Sequence, residues 1–116
     1  TRGGVATTLK EIALQSGVDI CLAETDLPVN DAVAGACAIL GLDPLFVANE
    51  GKLLAIVDPA AAAAALATMR ACEFGAQAAI IGEVTEVSAG RVMMRTTIGG
   101  LRAIEMLAGE QLPRIC

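Results

Sequence analysis

Apolar positions along the chain change period several times, and each change marks an element. Val5, Leu9 and Ile12 recur three and four residues apart, the spacing of one helical face, and Gly17 stops the pattern. That helix is expected to begin at or near Thr1, a good N-cap. Val18 to Ala23 is a short apolar, β-branched run and predicts a strand. Asn30 and Gly41 bracket a second helix from about Asp31 to Leu40, with Val33, Cys37 and Leu40 as its buried face. Asp43-Pro44 starts a helical turn through Leu45, Phe46 and Val47, and the polar turn Ala48-Asn49-Glu50-Gly51-Lys52 leads into a predicted strand, Leu53–Val57. Asp58-Pro59 caps a third helix that runs through the alanines from Ala60 to about Cys72, with Leu66, Met69 and Cys72 toward the core. Gln77–Glu86 and Arg91–Ile98 predict two strands joined as a hairpin across Val87-Ser88-Ala89-Gly90. Leu101 to Leu107 adds a helical turn or a short strand after Gly99-Gly100. The order predicts an α/β (α+β) domain, with helices packed on a mixed sheet.

Composition narrows this. A chain of 116 residues closes one core and is too short for two. It is 55% hydrophobic with only two aromatics, Phe46 and Phe74, so its core is aliphatic. That much small apolar surface on a short chain predicts a face that packs on another domain or subunit. No apolar run approaches the roughly 20 residues that span a bilayer, which argues against a membrane protein. The chain has no initiator Met and no signal-like start, and is expected to be cut from something longer. A net charge of -5, with eight Lys and Arg scattered singly, disfavours nucleic-acid binding. The absence of histidine removes the commonest metal ligand and general base. The four cysteines show no C-x-x-C spacing, and Cys21, Cys37 and Cys72 fall in apolar segments, which reads as reduced core residues of a cytosolic protein, with disulfides or zinc ligation as the alternative.

Three places offer chemistry. The first is the tail 109–116, Gly-Glu-Gln-Leu-Pro-Arg-Ile-Cys, read as a flexible arm on a domain of residues 1–108. Extended, eight residues reach roughly 25 Å. Pro113 biases the tail away from helix, while Arg114 and the α-carboxylate act in opposite senses on a Cys116 thiolate. An arm of this kind suits a group carried on sulfur; equally, a terminal cysteine is incidental or pairs with another thiol. The second is Thr1-Arg2-Gly3-Gly4, where glycines in a first helical turn leave N–H groups open to an anion and Arg2 adds donors. An ordinary helix end with Arg2 in solvent fits these four residues as well. The third is Glu50, a carboxylate beside Gly51 in a turn at the mouth of a sheet, placed to act as a base or simply solvated.

Together, T-R-G-G at Thr1–Gly4, the run Leu40–Leu53 with its N-E-G-K turn, I-G-E-V at Ile81–Val84 and the terminal P-R-I-C resemble the C-terminal domain of the HypE family. These are the carbamoyl dehydratases of nickel-iron hydrogenase maturation, in the aminoimidazole ribonucleotide synthetase superfamily. The resemblance implies a PurM-like C-terminal domain, with helices on one face of a four-stranded mixed sheet. It also implies an N-terminal ATP-binding domain ahead of T-R-G-G, and the Asp that precedes that motif in the family is missing here. ATP with Mg is then bound mainly by that other domain, and this fragment alone is expected to bind no cofactor and to be inactive. In the implied reaction a carbamoyltransferase maturation protein loads Cys116. ATP-dependent dehydration gives a thiocyanate, and an iron-carrying maturation complex accepts the cyanide. The resemblance casts Cys116 as carrier and Glu50 as base, sets Thr1, Arg2, Gly3 and Gly4 against the nucleotide phosphates, and implies a cytoplasmic homodimer. The rival expectation is a non-catalytic module for dimerisation or docking onto other maturation proteins.

Overall fold

The computed structural model describes residues 3–106. Three helices, α1 (Gly4–Ser16), α2 (Asp31–Leu40) and α3 (Ala62–Ala71), accompany four strands, β1 (Val18–Ala23), β2 (Gly82–Val87), β3 (Val92–Arg95) and β4 (Leu101–Ala103). Short 3-10 turns lie at Glu24–Asp26, Pro44–Phe46 and Pro59–Ala61. The strands form one mixed sheet in the order β2-β1-β3-β4, so the expected α/β class holds. β1 pairs antiparallel with β2 (Val18 opposite Val87) and parallel with β3 (Ile20 opposite Val92), and β4 closes the far edge antiparallel to β3.

One expectation fails here: β2 and β3 are not a hairpin. β1 lies between them, because residues 88–91 cross the start of β1 instead of reversing beside β2. Ser88 N–H donates to the Gly17 carbonyl at 2.9 Å, and Ile20 N–H to that of Arg91 at 2.9 Å. Arg91 N–H then donates to Asp19 Oδ1 at 2.8 Å, and its guanidinium grips Oδ2 at 2.6 Å. The turn signal at Gly90 is real, with φ +77; strand adjacency is decided by the groups on β1 that claim this segment.

Asp19 is buried, and the hydrogen bonds and charge of Arg91 hold its carboxyl below the ordinary value of 3.8. A carboxyl depressed on folding stabilises the fold above its unfolded value, and that stability is lost as pH falls through the folded one. Melting temperatures of the wild type and Asp19→Asn are therefore expected to differ by a constant amount at neutral pH and to converge as pH drops below about 3.8. A gap that persists into strong acid would contradict this.

The core is one layer between α1 and the sheet. Ala6, Leu9 and Ala13 form the buried stripe of α1, packed on Ile20 and Leu22 of β1, Val92 and Met94 of β3, and on Leu45 and Ile104. Val5 and Ile12, expected in that stripe, are only half-buried, and alanines take the closest positions. Small side chains let the helix axis approach the sheet, so volume and not hydrophobicity chooses the face. Helix ends follow local rules: Asn30 Oδ1 accepts Ala32 N–H at 2.9 Å, and Gly17 and Gly41 close α1 and α2 with positive φ. α1 itself starts at Gly4 with Gly3 as N-cap, and not near Thr1.

The rest of the apolar surface is open. On α2 only Cys37 is buried, whereas Val33 and Leu40, expected to be inside, are 45% and 68% exposed. No residue of α3 is buried, and Cys72 is exposed, not a core thiol. Leu53–Val57 is not a strand: it runs without a ladder partner among the described residues, with Leu53 78% exposed. The five apolar residues carry a β signal, but a strand exists only where an edge is offered to it.

Candidate functional site

The start of α1 is built from two glycines for separate reasons. Gly3, at φ +77, caps the helix without a side-chain hydrogen bond. The first-turn N–H groups have no intrahelical partner, and the cap residue, a glycine, has no side chain to accept from them. Gly4, at φ +72, faces the segment after α2: a β-carbon there would overlap the Leu45 carbonyl oxygen and sit 2.8 Å from that of Val47. Thr8 Oγ1 donates to the Gly4 carbonyl at 3.0 Å, fixing the first turn further.

That facing segment is rigidly set. Asp43 Oδ1 accepts Leu45 N–H at 2.9 Å and caps the Pro44–Phe46 turn, while Asp43 Oδ2 pairs with Arg102 of β4 at 2.7 Å. Glu50 follows Val47 by three residues, on an exposed turn where Gly51 has φ +76. The fold thus sets Gly4 against the segment that leads to the Glu50 turn, and Glu50 lies no more than the roughly 10 Å that three residues span from Val47. Thr1, Arg2 and Cys116, with the whole tail 109–116, lie outside the described residues.

Beside this segment opens a concavity of about 470 Å³, lined by Leu27, Leu42, Leu45 and Met94 with Glu24, Asp43 and Arg102 among its polar groups. It sits at the carboxyl end of the parallel pair β1 and β3, where open α/β sheets commonly take ligands. Glu24 Oε2 accepts Thr97 N–H at 2.8 Å, so this carboxylate ties the end of β1 to the loop after β3. Sequence reasoning passed over Glu24, Asp43 and Arg102. Asp43 carried a signal, the Asp-Pro start of a turn, whereas the partner of Arg102 is set by β4 lying beside β3. Among the described residues no group of His, Cys, Asp or Glu is arranged to hold a metal, and Cys21, Cys37 and Cys72 are free.

Residues 1–95 match the model of the AIR synthase related protein family, C-terminal domain. The chain belongs to that family. Over all 116 residues this AIR synthase-related domain is 54% identical to the carbamoyl dehydratase HypE of Rhodobacter capsulatus and covers 34% of it. It is 57% identical over the same length to the carbamoyl dehydratase HypE of Cupriavidus necator, covering 33% of that protein. A crystal structure of the hydrogenase maturation protein HypE superimposes with a TM-score of 0.93 at 51% identity, over 100% of this chain and 38% of that one. HypE in complex with ATP gives 0.90 at 46% identity, over 96% of this chain and 35% of that one. A HypE-HypF complex gives 0.86 at 42%, over 92% and 34%. The domain spans about a third of the length of the curated relatives it matches. The resemblance first read from four motifs therefore extends along the entire chain.

Proposed function

We propose that this domain is the carrier part of a carbamoyl dehydratase in hydrogenase maturation. The observation that carries the reading is an identity of 54% to a carbamoyl dehydratase HypE over an alignment that spans all 116 residues of the chain. On this reading Cys116, as thiolate, takes a carbamoyl group from a carbamoyltransferase maturation protein. Dehydration transfers the carbamoyl oxygen to phosphate from ATP and removes two nitrogen-bound protons, leaving a thiocyanate on sulfur. An iron-carrying maturation complex then accepts the cyanide. Glu50 takes a proton from nitrogen: it stands on an exposed turn, and the chain has no histidine to do so.

Nucleotide with Mg is held mainly by residues outside this chain. The α1 start fits a phosphate approaching from there, since Gly3 supplies no capping side chain to the first-turn N–H groups, and Thr1 and Arg2 would add a hydroxyl and a guanidinium. Gly4 serves that end indirectly, by letting the segment 45–47 close against it. The existence of a HypE structure with ATP and of a HypE-HypF complex supports both the cofactor and a maturation-protein partner. The domain by itself turns over nothing on this account, and the whole protein works as a cytoplasmic homodimer. The open apolar surface of α2, residues 53–57 and α3 favours a docking role for this part of the protein alongside the catalytic one.

Glu50→Gln in the full-length protein separates loading from dehydration. Cys116 is expected to acquire its carbamoyl group normally, while conversion to thiocyanate slows by about 10²- to 10⁴-fold. Unimpaired dehydration in single-turnover kinetics would remove Glu50 from the base role.

A further inference from the structure

The two oxygens of Asp43 serve different parts of the fold. Oδ1 accepts Leu45 N–H at 2.9 Å and shapes the turn locally, whereas Oδ2 pairs with Arg102 Nη2 at 2.7 Å. Arg102 stands opposite Met94 in the β3–β4 ladder, so the pair ties the edge of the sheet to the segment after α2. Among the described residues it is the only ion pair or side-chain hydrogen bond that joins residues 43–47 to another element. The remaining holds on this segment are apolar or steric: Leu45 is buried, Phe46 packs against the core, and the Leu45 and Val47 carbonyls lie against Gly4. α1 therefore bears on the segment through Gly4, and β4 holds it through Arg102. Glu50 comes three residues after Val47, on an exposed turn that belongs to no helix or strand, so the place of Val47 limits where its carboxylate can reach.

From this we infer that Asp43 and Arg102 are positioning residues for Glu50, their ion pair fixing the segment from which the Glu50 turn springs. The inference rests on the base reading above and deepens it. A general base works only within hydrogen-bond reach of the proton it takes, so small displacements of its support are felt in the rate. Asp43 itself is engaged through both oxygens and acts by holding its neighbours in place. The side chains of Arg102 and Asp43 are 44% and 24% exposed, so water screens the pair and its strength is modest. Losing it loosens the segment without opening the core, which lies under Leu45.

A pair that only stabilises the fold makes a different forecast: its loss lowers the melting temperature and leaves the rate of the folded protein unchanged, with or without Glu50. The test is single-turnover dehydration of carbamoyl-loaded full-length protein, well below each variant's melting temperature, in wild type, Arg102→Met, Glu50→Gln and the two combined. Arg102→Met is expected to slow dehydration about fivefold, the scale of a partly exposed ion pair, at an unchanged rate of loading. It slows Glu50→Gln no further, because a residue that acts through the carboxylate has nothing to place once the carboxylate is gone. Arg102→Lys, which returns a cation, recovers most of the rate. Asp43→Asn keeps the Leu45 cap, loses the charge and is expected to slow dehydration at least about twofold. A wild-type rate in Arg102→Met or Asp43→Asn, no recovery in Arg102→Lys, or an equal loss from Arg102→Met in the Glu50→Gln background would overturn the assignment. Glu50→Gln at the wild-type rate sinks the base reading itself, whereas a slowed Glu50→Gln beside an unaffected Arg102→Met removes the positioning role alone.

Discussion

Full-length protein with Cys116 replaced by serine is expected to accept no stable carbamoyl group and to lose cyanide formation by at least about 10³-fold, the scale of removing a nucleophile. The loss follows from acidity and from bonding. A serine hydroxyl is not ionised near neutrality and is a far weaker nucleophile than a thiolate. An oxygen carrier would also give a cyanate ester in place of a thiocyanate, changing what the iron acceptor must attack. The protein should still fold, since every core residue described lies between Ala6 and Ile104. Wild-type melting behaviour with absent turnover is the expected pair of results, measured by calorimetry and by cyanide release.

The second large effect is structural. Gly4→Ala asks an L-residue to adopt φ +72 and places a methyl against the Leu45 and Val47 carbonyls. The left-handed conformation costs about 1–2 kcal/mol, and overpacking against rigid backbone adds about 1–3 kcal/mol. A total of about 2–5 kcal/mol would be a large fraction of a small domain's stability. Gly41→Ala is the control, because φ there is +67 but nothing lies within 4 Å of an added β-carbon. Denaturant titrations should show Gly4→Ala destabilised at least about twice as much as Gly41→Ala, since only the first adds a clash to the strain. Equal losses would mean the 45–47 segment gives way freely, and the tight junction between α1 and the Glu50 turn would not hold as described.

Local signals were the legible part of this fold. Asn30, Gly17, Gly41 and the Asp-Pro pairs at 43 and 58 act within a few residues of themselves, and each appears where the sequence placed it. Signals that need a distant partner were misread. Leu53–Val57 carries an apolar β pattern but meets no edge among the described residues, and the β2 and β3 strands look like a hairpin until Asp19 claims Arg91. Apolar helix faces on α2 and α3 were assigned to this domain's own core, whereas Leu40 is 68% exposed. Periodicity marks a face as apolar without saying what covers it. Of the candidate site, the sequence supplied Gly3, Gly4 and Glu50, but only the fold places Gly4 against the turn leading to Glu50. Around the neighbouring concavity, Asp43 was legible only as the start of a turn, and its meeting with Glu24 and Arg102 is set by topology.

The chemistry assigned to the last residue is open to a direct measurement. Full-length protein is incubated with its carbamoyl donor system, with and without ATP, and the peptide ending at Cys116 is weighed by mass spectrometry. The account predicts the mass of a carbamoyl adduct without ATP and of a cyano adduct once ATP is present, both located on the Cys116 sulfur. An unmodified Cys116 peptide from a preparation that nevertheless produces cyanide would contradict it.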